Sequence, residues 1–68
     1  MSETESKLLT ERDVALYLKV STALLRKWRG QPETPQPPFV RLGGAIRYPL
    51  DGLDEFIKEN TVQPRKAA

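Results

Sequence analysis

Residues 10–30 read TERDVALYLKVSTALLRKWRG, from Thr10 to Gly30, and their spacing decides the fold. Thr10 is a good helix N-cap, and Asp13 stands three positions on, where a capping box wants an acid. From Glu11 to Leu18 the apolar Val14, Ala15 and Leu18 fall on one helical stripe. Leu16 points elsewhere, as an isolated exposed leucine or as part of a protein contact. Lys19-Val20 interrupts the pattern, Ser21 is a second N-cap, and Thr22 to Arg29 reads as a second helix closed by Arg29 and Gly30. Two short helices separated by a turn of about three residues have helix-turn-helix spacing. On the second helix Leu25 and Trp28 share one side, with Leu24 beside them. Ala23, Arg26 and Lys27 share the other, with Thr22 and Arg29 at its margins.

Downstream, Pro32, Pro35, Pro37 and Pro38 make residues 31–38 a stiff connector, since neither a helix nor a central strand survives that density. Phe39 to Leu42 and Ile46 to Tyr48 are β-prone runs flanking Gly43-Gly44, a hairpin signal. Alternation puts Ile46 and Tyr48 on one face and Arg47 on the other, and Arg41 is read as outward with Arg47. Asp51 is expected to cap a last helix, with Asp54 at its third position. Leu53, Phe56, Ile57 and Asn60 then form the inner stripe, while Asp54, Glu55, Lys58 and Glu59 face water. The expected fold is mainly α with a small β-hairpin wing, a winged helix-turn-helix over residues 8–60. Residues 1–7 read as a flexible tail and 61–68 as a basic one.

Composition agrees with one small domain. A chain of 68 residues buries only about 60% of the surface it exposes when unfolded, enough for one thin core. It has no cysteine and no histidine, which leaves neither a disulfide staple nor the usual zinc ligands, and no metal or cofactor is expected. No apolar run approaches the roughly 18 residues of a membrane span, so no membrane partner is expected and the chain is placed in the cytoplasm. The net charge of +2 is unevenly spread. Residues 21–50 carry Arg26, Lys27, Arg29, Arg41 and Arg47 against Glu33 alone, between flanks in which acids outnumber bases by one. A basic centre of this kind attracts a polyanion at one face; a merely solvated surface is the plainer alternative.

Position favours the polyanion. A DNA-reading helix needs a buried face to fix its angle and a face of small or cationic residues to enter the major groove. Ser21, Thr22 and Ala23 leave room for close approach, Arg26 is placed for a bidentate guanine contact, and Lys27 and Arg29 suit phosphates. Arg41, Gly43, Gly44 and Arg47 would form the wing's share of the interface. Trp28 is read as core and not as a base-stacking platform, given its spacing from Leu25. Asp51, Asp54 and Glu55 are explained as cap and dipole partners better than as paired catalytic acids, so the chain is read as a non-enzyme.

These residues also resemble a known family. Leu8-Leu9-Thr10, Asp13-Val14-Ala15, Leu18 to Ser21 and Leu25 to Arg29 are similar to the opening of the small excisionase and AlpA-type regulators, relatives of MerR-like winged helices. Pro37 to Gly44 with Ile46-Arg47-Tyr48 resembles their wing, and Leu53, Phe56 and Ile57 their closing helix. Leu24, Ala45 and a longer connector depart from the pattern. The resemblance implies a bacterial, phage or mobile-element protein at the nucleoid. It implies double-stranded DNA as partner, either with a tyrosine integrase whose excision it directs or alone as a small transcription regulator. Other copies of the chain on DNA are expected as well, because one recognition helix reads few base pairs. A protein-interaction adaptor using Leu16 and the C-terminal tail is the contrasting reading.

Overall fold

The computed structural model describes residues 7–64; the tail residues 1–6 and the Arg65-Lys66 pair lie outside the described part. Six elements follow one another: β1 (Leu8–Leu9), α1 (Glu11–Leu18), α2 (Thr22–Arg29), β2 (Val40–Leu42), β3 (Ala45–Pro49) and α3 (Leu50–Glu59). The architecture is mainly α with a small antiparallel wing, as expected of a winged helix-turn-helix. The sheet has three strands in the order β1-β3-β2, with β3 in the centre. No helix among the described residues is long and apolar enough to cross a membrane.

The first helix begins where the capping box places it. The Asp13 N–H donates to the Thr10 hydroxyl and the Thr10 N–H donates to the Asp13 carboxylate, both at 3.1 Å. These bonds occupy two amide donors that the first turn would otherwise leave unpaired. At the other end Lys19 adopts the left-handed region, φ 59°, and the Val20 N–H closes back on the Ala15 carbonyl at 2.9 Å. That reversal turns the chain within three residues into the Ser21 cap of α2, whose hydroxyl accepts from the Leu24 N–H at 3.1 Å.

Val14 and Ala15 from α1, Leu25 from α2, Tyr48 from β3 and Leu53 from α3 form the buried core. Leu9, Leu18, Val20, Trp28, Phe39, Ile46 and Leu50 pack around them, half-buried. Trp28 is thus a packing residue, as read, and meets Phe56 edge to face with ring centres 6.3 Å apart, tying α2 to α3. Leu16 is 71% exposed, on the side of α1 away from this core. The inner stripe of α3 is narrower than its apolar spacing suggested. Leu53 is buried and Phe56 half-buried, but Ile57 and Asn60 are exposed.

One strand was not foreseen, and one expected helix start is corrected. Leu8-Leu9 is a strand pairing with Pro49 and Tyr48, too short for alternation to reveal. Asp51 is not an N-cap: α3 starts at Leu50, directly after the strand, with Pro49 as its capping residue and no side-chain cap. The physical reason is that the Leu50 N–H already donates to the Lys7 carbonyl at 2.8 Å, while Pro49 has no N–H and holds φ at −65°. Asp51 therefore sits inside the first turn, where the helix dipole favours an acid, and Asp54 is the fifth helical residue instead of the third. Asp54 also accepts a 3.0 Å hydrogen bond from the Tyr17 hydroxyl, joining α1 to α3.

The connector is held by one side chain. Gln36 Nε2 donates to the carbonyls of Trp28 at 2.7 Å and of Gln31 and Thr34 at 3.2 Å, and Pro37 beside it is fully buried. In the hairpin, Gly43 takes φ 63°, a conformation that side chains resist and that the two-residue reversal requires.

Gly52 serves closeness. A Cβ built there would lie 2.5 Å from the Pro38 ring, which has no flexible end to move aside. Gly52→Ala should therefore lower stability by about 1 kcal/mol or more, although alanine favours a helix by about that amount. A thermal melt of the variant decides; a raised Tm would mean that the connector yields. Acid titration probes the capping box. The Thr10 backbone N–H, and after it the Thr10 hydroxyl, hold the Asp13 carboxyl below its ordinary value. A depressed folded-state value stabilises above the unfolded one, and that contribution disappears as pH falls below about 4. Asp13→Asn should be less stable than the parent at neutral pH, with the two unfolding curves converging between about pH 4 and 2. Curves that stay parallel would refute the assignment.

Candidate nucleic-acid interface

Burial of Leu25, with Leu24 and Trp28 half-buried, turns the opposite face of α2 outward. Ala23, Arg26 and Lys27 are exposed there, and Thr22 is half-buried at the margin. The Ser21 cap stands at the N-terminal end of that face, its hydroxyl oxygen already accepting from Leu24. Ala23, Arg26 and Lys27 thus lie together on one exposed face of α2, small at its leading end.

The two arginines of α2 differ in kind. Arg29 is 14% exposed at its side chain, and its Nη1 donates to the Tyr48 hydroxyl at 2.8 Å. Its guanidinium also lies 5.9 Å from the centre of the Phe39 ring. Arg29, read as a phosphate ligand, is turned inward and supplies the partner that a buried tyrosine hydroxyl requires. Arg26, 59% exposed, keeps its outer edge toward solvent. Both meet the same carboxylate: Glu11 Oε2 is 3.6 Å from Arg26 Nη1 and 3.7 Å from Arg29 Nη2.

Glu11, Phe39 and Tyr48 are the residues that sequence reasoning passed over. Glu11 was read only as part of the first turn of α1. Its tie to α2 comes from the angle at which the two helices cross, which no spacing within α1 encodes. Phe39 carries the Tyr48 ring at 5.9 Å and a second cation, Arg41, 5.6 Å from its centre.

The strand register corrects the wing. Arg41 lies directly opposite Ile46, and Val40 opposite Arg47. Cross-strand partners share a face, so Arg41 stands on the Ile46 and Tyr48 side while Arg47 stands on the other. The hairpin therefore presents its two arginines to opposite sides instead of pairing them outward. Arg47 is half-buried, and its Nη1 donates to the Ile46 carbonyl at 2.8 Å. Gly43 and Gly44 are exposed at the tip with open space around both α-carbons, so the backbone is approachable there.

These placements separate fold from surface by experiment. Arg29→Ala should cost about 1–3 kcal/mol of stability, because it strips a buried hydroxyl of its donor and Glu11 of a counter-charge. Arg26→Ala should cost under about 1 kcal/mol, as exposed ion pairs do. Urea melts of the two variants side by side check this; equal losses would show that the two arginines share one role. Comparison of the chain with protein-family models finds no match, and neither does comparison with curated proteins.

Proposed function

We propose that the chain is a sequence-specific, architectural binder of double-stranded DNA that lays α2 in the major groove and the hairpin along the flanking backbone. The observation that carries this reading is the two-sided build of α2. One side is locked into the core by Leu25 and by the Arg29–Tyr48 bond, and the other offers Ala23, Arg26 and Lys27 to solvent. Arg26 is the base-reading residue, through two acceptors on a guanine edge, and Lys27 is a phosphate contact. Ser21, Thr22 and Ala23 allow the close approach, with Gly43 and Gly44 bringing wing backbone near the duplex. Arg47 and Arg41 then address different strands of the backbone, since the register puts them on opposite faces.

Within this class the resemblance over about residues 8–58 to the excisionase and AlpA-type proteins supports a recombination directionality factor. It would assist a tyrosine integrase in excision at the nucleoid, acting in several copies along the DNA. A domain this small buries roughly 600–1,000 Å² on DNA, too little to select one site in a genome, which is the physical ground for copies or a partner.

Duplex titrations test the reading. Arg26→Ala should lose about 1–3 kcal/mol on a selected site and much less on a scrambled one. Lys27→Ala should weaken both alike and flatten the dependence of log K on log salt by about one unit. An unchanged ratio between the two duplexes for Arg26→Ala would reject Arg26 as the reader. Wild-type binding indifferent to salt would reject DNA as the ligand.

A further inference from the structure

Glu11 occupies an unusual position for a surface acid. It is the first residue of α1, yet its side chain turns toward α2 and is only 24% exposed. Its Oε2 is covered from solvent and accepts no hydrogen bond among the described residues. The charges that compensate it are the two guanidinium groups at 3.6 and 3.7 Å. A covered carboxylate oxygen without a hydrogen bond depends on such neighbours, so Oε2 of Glu11 is drawn toward them. One of the two is itself fixed, since Arg29 is clamped by the 2.8 Å bond to the Tyr48 hydroxyl and Tyr48 is buried at the centre of the sheet. A continuous line of contacts therefore runs from Tyr48 through Arg29 and Glu11 to Arg26. Its first three members are mostly covered and its last is 59% exposed.

From this line we infer that Glu11 is a positioning residue that determines specificity: it tethers Arg26 by Nη1 so that the free edge of the guanidinium faces a base. The inference rests on the DNA-binding reading and deepens it. An arginine has five N–H donors in a planar fork, so one nitrogen can stay beside Glu11 while the others meet two acceptors of a purine edge. Reading a base in that pose leaves the Glu11 contact in place. Swinging outward to a lone phosphate breaks it, and leaves a covered carboxylate with one cation fewer. The tether thus taxes indiscriminate backbone contact and spares base contact, which raises the ratio between the two. It also fixes in advance a side chain whose rotamer freedom is otherwise lost on binding.

A random 20-bp duplex pool serves as the probe, with two readouts: the fraction of the pool retained at fixed protein concentration, and the base enrichment among retained molecules. Wild type should enrich guanine at one position, and Arg26→Ala should lose that position. Glu11→Gln should retain about two- to fivefold more of the pool while enrichment at that same position falls. Glu11→Asp keeps the charge and shortens the reach, so its enrichment should fall without the gain in retention. Adding Glu11→Gln to Arg26→Ala should change enrichment no further. Melting curves accompany each variant, and the aspartate variant carries the test if the glutamine variant fails to fold. Enrichment unchanged in both Glu11 variants overturns the inference while leaving DNA binding intact. A wild-type chain that retains no duplex overturns the DNA reading, and this inference with it.

Discussion

The hydrogen bond from Arg29 to the Tyr48 hydroxyl joins the second helix to the central strand, and much else in this domain takes its position from it. Tyr48 is almost wholly buried, so its hydroxyl needs a partner inside the protein. Arg29 meets that need from the last turn of α2 and so fastens that end of the helix beside the central strand. Together with the burial of Leu25 it leaves Ala23, Arg26 and Lys27 pointing into water. Phe39 lies against the tyrosine ring and under the arginine, so the start of the hairpin is registered on the same pair. A chain with neither cysteine nor histidine has no covalent or zinc staple available. Polar contacts at the rim of a thin apolar core supply the geometric definition.

What the sequence revealed and what it hid divide along a physical line. The caps at Thr10 and Ser21, the two helices of the helix-turn-helix, the proline connector and the glycine hairpin were all legible. Each is settled by bonds between residues a few positions apart. The burial of Leu25 and the exposure of Leu16 followed from helical periodicity for the same reason. Hidden were the features that depend on residues far apart in the chain. Strand β1 exists because Pro49 and Tyr48 lie beside it. The start of α3 at Leu50 follows from the bond to Lys7, and the burial of Arg29 from Tyr48. Arg41 and Arg47 looked equivalent because alternation assigns a face only once a register is known, and the register belongs to the pair of strands.

The candidate surface shows the same division at the level of charge. Five cations between residues 21 and 50 invite reading as one basic patch. The folded chain sorts them into different duties. Arg29 is spent on the fold and Arg47 is half-buried with one bond to its own neighbour's carbonyl, while Arg41, beside Phe39, is exposed, as are Arg26 and Lys27 on α2. A count of basic residues therefore overstates the charge free to meet a polyanion.

The bond between the Leu50 N–H and the Lys7 carbonyl bears on how the domain assembles. Helices α1 and α2 are neighbours in sequence, and so are β2, β3 and α3; each group closes through short loops. Strand β1 instead reaches across about forty residues to Tyr48 and Pro49. Closing that span costs entropy, and β1 joins the two local groups together with the shared core, the Tyr17–Asp54 and Arg29–Tyr48 hydrogen bonds and the Trp28–Phe56 contact. The seam is also where the domain opens most cheaply, because a two-residue edge strand has few bonds to lose. Opening there frees the Leu50 N–H at the start of α3 while leaving the α1–α2 turn closed on its own caps. The outward face of α2 is thereby insulated from this two-residue seam.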